Sequence, residues 1–207
     1  MVSESLRKYI ENEVIPRYAA FDAAHREEHA KDVIERALEM GKAYPVDMDM
    51  LYTAAAMHDL GLSHGREQHH TESAHIIRTD PRLREWFSQK QIEIIAQAAE
   101  DHRASASEPP RSIYGRIVAE ADRMIVPETV IRRTVQYGLS HYPELDREGH
   151  WQRTLQHLNE KYAEGGYLQL LIPGSPNEAS LRELREIIRD KARLRLLFDS
   201  FYDKESR

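Results

Sequence analysis

The chain has 207 residues, 41% of them hydrophobic and 31% charged, a balance that suits one substantial globular domain or a domain with a helical extension and argues against disorder. Its formal net charge of -6 offers no broad basic surface to extended nucleic acid or an anionic membrane. It has no cysteine, which excludes disulfides, thiolate metal sites, iron–sulfur clusters and thiol nucleophiles.

The opening MVSESLRKYIENEVIPRY is charged and amphipathic, unlike the apolar core of a signal peptide. No stretch approaches the roughly 18 apolar residues of a membrane span, so a cytoplasmic protein is the expectation. Apolar residues recur at helical spacing almost throughout, with no sustained strand alternation. A first helix is expected over about Glu4 to Tyr18, ending near Pro16, and a second from about Arg26 to Ala43. His29, Val33, Ala37 and Met40 share one face of the second. The third runs from about Asp47 to Leu60, with Leu51, Ala54, Ala55 and His58 on its buried stripe and Gly61 as a stop signal.

After a polar turn, His69 to Thr79 reads as a short helix with Ser73 and Ala74 facing inward. Ser88 caps an isoleucine-rich helix that ends near His102. RASASEPPRS is a loop, since its prolines forbid helix continuation. Helices then cover about Ser112 to Ile125, Glu128 to Tyr142, Asp146 to Tyr162 and Ser180 to Tyr202. The loop GGYLQLLIPGSPN, with room for a brief extended piece, separates the last two. No linker or repeat divides the chain, so a single helical domain over 1–207 is expected.

Eight of the eleven histidines precede residue 103. His58-Asp59 closes an apolar helix; alone, such a pair is a polar helix end, favourable at the negative end of the macrodipole. Two further segments change its meaning. His29 lies on the stripe of Val33 and Ala37, and Asp122 follows Val118 on a mostly apolar face. A buried carboxylate there is costly unless it is paired or meets a cation.

The pattern His29 … His58-Asp59 … Asp122 resembles the HD superfamily of metal-dependent phosphohydrolases. Arg26-x-x-His29-x-x-x-Val33, the His-Asp-Leu-Gly turn and the Ala-Asp-Arg context of Asp122 carry the likeness. It spans about residues 20 to 130. The resemblance implies an all-α, HD-domain-like helical bundle of roughly five core helices, with additional C-terminal helices over about 131–207. It implies a metal held by His29, His58, Asp59 and Asp122, with Asp59 also orienting water, and hydrolysis of a phosphate ester or anhydride of a small, nucleotide-like metabolite.

Imidazole nitrogens and carboxylate oxygens suit a divalent Mn, Fe, Ni, Co, Zn or Mg ion. Four such ligands on an octahedral ion leave about two positions for water and substrate. Dinuclear relatives add two histidines between the His-Asp pair and the last Asp. His69-His-Thr-Glu-Ser73-Ala74 and His102 resemble that placement, although His70 and His75 compete for the first role. With one ion, His69 and His102 would instead contact phosphate or donate protons. The choice between one and two ions stays open, as do a di-iron oxygenase on the same scaffold and a ligand-binding module without turnover. The sequence lacks the Gly-Tyr-Pro signature of cyclic-di-GMP phosphodiesterases and the Glu-Asp pair of alarmone hydrolases.

Arg26 and Arg103 are the candidate substrate-binding residues, because a guanidinium grips phosphate with two parallel bonds. Arg66, Lys90 and Arg123 also lie near the motif residues, with surface or structural pairing as the default for each of these cations, and Glu67 and Glu72 are candidate proton-transfer groups that read first as solvated helix residues. His141, His150 and His157 carry no carboxylate motif and read as ordinary histidines. The expected partner is a small phosphorylated substrate, with no extended nucleic acid and no membrane. Oligomeric state is open, a homodimer included.

Overall fold

A computed structural model describes residues 2–21, 27–103 and 108–206. Among them there is no strand, and the secondary structure is helical throughout. The chain separates into two compact units, Met1–Arg123 and Met124–Arg207, a division that no linker composition announces. The second unit closes around apolar residues of its own, which is the physical basis of the division.

In the first unit the N-terminal segment begins as α1 (Glu4–Tyr9), widens to a π-helix at Ile10–Val14 and tightens to a 3-10 helix at Ile15–Ala20. The sequence predicts one regular helix here. Pro16 explains the departure: it has no N–H to offer the preceding turn, so the ladder is re-spaced around it. Leu6, Ile10, Val14 and Tyr18 are buried along this segment.

α2 (Glu27–Gly41) buries Ala30, Val33, Ala37 and Met40. α3 (Met48–Met57) starts at Asp47, whose carboxylate accepts from the backbone N–H groups of Asp49 and Met50. Every residue from Met50 to Met57 is buried, so α3 is a central helix rather than one with a single apolar stripe. Ala54, Ala55 and Ala56 keep it slim enough for α2, α5 and α6 all to pack on it. The chain does not stop at Gly61 but continues as a 3-10 turn, Leu60–His64.

Gly61 answers a different need. A Cβ there would lie 2.0 Å from the carbonyl oxygen of His69 and 2.5 Å from the backbone nitrogen of Ser73. The 3-10 turn is thus pressed against α4 (His69–Thr79), and Gly61 N–H donates to Ser73 Oγ at 2.9 Å. The inward-facing Ser73 and Ala74 are both fully buried, as their size allows. α5 (Gln89–Glu100) carries the Ser88–Gln91 capping box, and α6 (Ile113–Asp122) is capped by Ser112.

The second unit comprises α7 (Pro127–His141), α8 (Arg147–Tyr162), α9 (Pro176–Arg189) and α10 (Lys191–Glu205). Ile131, Val135, Trp151, Leu158, Leu184 and Phe198 are among its core residues. The sequence predicts one helix over 180–202, but the helix breaks at Asp190. That residue donates its N–H to the carbonyl of Glu186, ending α9, and its carboxylate accepts from Arg193 N–H, starting α10. The loop 163–175 forms no strand.

Candidate metal centre

Helix ends in the first unit bring five of the named residues to one place. His29 stands near the start of α2, and His58 and Asp59 at the end of α3. His69 is the first residue of α4, and His102 lies just past α5. Asp122, the last residue of α6, completes the set.

Three of the histidines are oriented by one device. His58, His69 and His102 each present Nδ1 to the carbonyl three residues earlier, those of Ala55 (2.8 Å), Arg66 (2.7 Å) and Ala99. A carbonyl only accepts, so each ring donates from Nδ1 and turns Nε2 inward, the nitrogen that can ligate when it carries no proton. For His58 and His102 the accepting carbonyls belong to the last turn of a helix, where no intrahelical partner remains.

Asp59 lies among these nitrogens, only 5% exposed. Its Oδ2 is 3.3 Å from His58 Nε2 and 3.8 Å from His29 Nε2. Its Oδ1 is 3.3 Å from His102 Nε2 and 3.5 Å from His69 Nε2. Asp122 Oδ1 approaches His29 Nε2 at 3.2 Å and His58 Nε2 at 3.8 Å. Two donor sets therefore share Asp59: His29, His58 and Asp122 with one oxygen, His69 and His102 with the other. Asp122 is 26% exposed, so the centre opens on its side.

The electrostatics show a site short of positive charge. Burial pulls the His58 imidazole down, yet the charges of Asp59 and Asp122 outweigh it and lift the group to about 9. Burial pushes the Asp59 carboxyl up. The charge of His58 and the close approach of the His102 and His58 imidazoles reverse that and hold it far below the usual carboxylate range. Asp122 is likewise lowered against burial, chiefly by its bond to His29. Burial lowers His69.

The residues fit a divalent ion. His58 Nε2 is a buried atom that lies near Asp59 without the alignment of a hydrogen bond. Two nitrogens at right angles on an ion with bonds of about 2.1 Å stand about 3.0 Å apart, and His69 and His102 hold their Nε2 atoms 3.2 Å apart. Oxygen and imidazole donors without sulfur match Mn, Fe, Ni, Co, Zn or Mg.

Not every named residue joins the centre. Arg26 lies outside the described residues. Arg103 donates Nη1 to the carbonyl of Glu67 at 2.9 Å, which ties the end of α5 to the turn before His69. Of the competing histidines, His75 is exposed on α4, and the ring of His70 stands 5.6 Å from that of His69. Glu67 and Lys90 are exposed, and Arg123 lies 3.6 Å from the buried Glu120. His150 is buried in the second unit.

Tyr18 escaped the sequence reading. It is fully buried, donates its hydroxyl to the carbonyl of Ala56 at 2.9 Å and accepts from Asp59 N–H at 3.3 Å. Burial and the charge of Asp59 push its phenol well above its ordinary range. A tyrosine at helical spacing looks like any core aromatic, so no signal in the sequence marks it.

The HD domain family model matches residues 26–125, the interval that runs from just before His29 to just after Asp122. A crystal structure of a predicted HD superfamily hydrolase from an uncultured Thermotogales bacterium is similar in fold, with a TM-score of 0.52. It is 22% identical over an alignment that covers 73% of this chain and 87% of that one. No curated protein matches the chain. Residues 26–125 thus match the HD domain family, and the helix ends that bring the histidines and aspartates together lie within that interval.

Proposed function

We propose that the chain is a metal-dependent hydrolase that cleaves a phosphate ester or anhydride of a small, nucleotide-like metabolite in the cytoplasm. The observation that carries this reading is Asp59, whose two oxygens face two separate pairs of imidazoles. His29, His58, Asp59 and Asp122 would hold one divalent ion. His69, His102 and the second oxygen of Asp59 would hold another. Bound there, such ions supply Lewis acidity, which brings the pKa of water toward neutrality and offsets charge on phosphoryl oxygens.

The protein's own part is positional. Backbone carbonyls fix three imidazoles in the tautomer with Nε2 free to ligate. Tyr18 holds the backbone of Asp59, and the apolar walls of α3 and α5 keep bulk water from one side of the carboxylate. On the exposed side, Asp122 leaves an approach for a substrate.

The test is metal analysis of the purified protein, followed by a panel of phosphate monoesters, diesters and anhydrides with and without Asp59→Asn. Bound divalent metal and turnover lost in the variant support the reading; unchanged turnover in a folded Asp59→Asn protein refutes it. The gathering of all four imidazoles also meets the ligand requirement of a di-iron oxygenase. That second reading requires iron in the protein and oxygen consumption in place of phosphate release.

A further inference from the structure

A cavity of about 570 Å³ opens on the first unit, and no residue of the metal centre lines it. One wall is the N-terminal segment, which contributes Arg7, Glu11 and Ile15 at intervals of four residues. The other is α2, whose Glu27, Lys31, Ile34, Glu35 and Leu38 fall on a single helical face. α3 adds Tyr52. The volume lies within the range of small-molecule pockets, about 300–1,000 Å³.

The charges around this groove do not balance. Arg7 pairs with Glu11 at 3.7 Å, and Lys31 pairs with Glu27 at 3.2 Å. Glu35 makes no ion pair or hydrogen bond among the described residues, so one carboxylate is left over. A second polar group is left over with it. Tyr52 is only 2% exposed, and the guanidinium of Arg7 stands 5.5 Å from its ring centroid. Its hydroxyl nevertheless makes no hydrogen bond among the described residues, although a phenol so deeply buried ordinarily finds a partner. Burial and then the charge of Glu11 push that phenol up to about 12, so its oxygen keeps the proton and lies in a negative field.

These features select among occupants. Three carboxylates against two cations repel an anion. A bare metal ion fits poorly, because Glu27 and Glu35 stand about 12 Å apart along the helix axis. Among the described residues, no three carboxylates of the groove bring an oxygen within 4.8 Å of one another. A neutral apolar molecule would leave Glu35 and the Tyr52 hydroxyl unmet. We propose that the groove binds a small organic cation, a primary ammonium carried on an apolar body. The ammonium donates to Glu35 and to the Tyr52 oxygen, and the body lies on Ile15, Ile34 and Leu38. This inference stands apart from the hydrolase reading.

Hexylammonium, 1-hexanol and hexanoate share one alkyl chain and differ in the charge of the head, which makes them the probes. Each is titrated at pH 7 into the intact chain, and binding is read from backbone amide NMR shifts along α2. Hexylammonium should shift the amides around Ile34 and Leu38 saturably. It should bind about tenfold or more tightly than hexanoate, with hexanol between them. Glu35→Gln, similar in shape but neutral, should weaken the ammonium about threefold or more. Tyr52→Phe, which keeps the ring, should weaken it by a similar factor. Binding should be unchanged in Asp59→Asn, which alters the metal centre alone. No saturable shift, affinities that do not favour the ammonium, or an affinity that Glu35→Gln or Tyr52→Phe leaves intact would overturn the proposal. Loss of binding in Asp59→Asn would overturn it too, by moving the amine to the metal centre.

Discussion

The Nε2 atoms of His69 and His102 face each other across 3.2 Å, although both rings spend their Nδ1–H on backbone carbonyls. Two lone pairs at that separation repel unless something positive lies beside them. The shared Asp59 Oδ1, 3.5 and 3.3 Å away, makes a cation the natural occupant, for it satisfies the nitrogens and the carboxylate together. Replacing both rings, as in His69→Ala/His102→Ala, should lower the bound metal from about two ions to about one per chain. Elemental analysis of the purified variant checks this. Two ions retained would place the second elsewhere.

Asp59→Asn keeps the shape of the side chain but removes its charge and turns one ligand oxygen into an amide nitrogen that cannot ligate. Phosphoryl turnover should fall about a hundredfold or more. The fold should persist, because the neighbouring imidazoles no longer need a counter-charge once they are neutral. Circular dichroism alongside initial rates separates loss of chemistry from loss of structure.

The metal-free and metal-loaded proteins should respond to pH in opposite directions. Without metal, His58 is raised to about 9 from an ordinary 6.5. Its folded state therefore holds the proton more tightly than the unfolded chain does. That stabilisation is fully present below pH 6.5 and disappears as the pH rises through about 9. With metal, protons compete with the ion for the same nitrogens, so the loaded protein should lose stability as the pH falls. Melting temperatures at pH 6 and 9, with chelator and with added ion, test the reversal; parallel trends would contradict it.

Gly61→Ala forces a methyl group against two backbone atoms of α4 rather than a yielding side chain. Overpacking of that kind costs about 1–3 kcal/mol and occasionally more. The melting temperature should fall by several degrees, and His69, whose carbonyl lies nearest the new carbon, should shift with α4. Affinity for a second ion should weaken more than affinity for the first, a difference that calorimetric titration resolves.

In the second unit, Asp190→Ala removes the side chain that begins α10. A lost helix cap costs about 1 kcal/mol. Chemical denaturation should register that loss, whereas metal content should stay the same, since Asp190 lies outside the interval that the HD domain model matches.

The sequence makes the helices of this protein plain and its backbone irregularities obscure. His29, His58 and Asp122 can be read because polar residues interrupt apolar stripes at helical spacing, and a buried imidazole or carboxylate demands a reason. The break at Asp190 is hidden because the heptad-like apolar pattern runs through it, and a single aspartate among charged residues gives little sign of capping. The purpose of Gly61 is equally hidden: a glycine after a helix looks like a terminator, and only the approach of α4 shows that it makes room. The choice among His69, His70 and His75 also needed coordinates, since one helical residue of difference turns a side chain by about 100°. Tyr18 acts through the backbone of Asp59, a contact between residues 41 positions apart.

The pinch at Gly61 and Ser73 has a consequence for how such a domain can diversify. It fastens the two ends of the intervening segment to each other, so the ligand-bearing helices are located without reference to the length of chain between them. Gly65, whose added Cβ would touch nothing within 4 Å, stands at the outer tip of that segment. Extra residues spliced in there would lengthen the outer tip and leave the imidazoles where they are, so the surface of this segment can drift while the cluster of histidines and aspartates stays put.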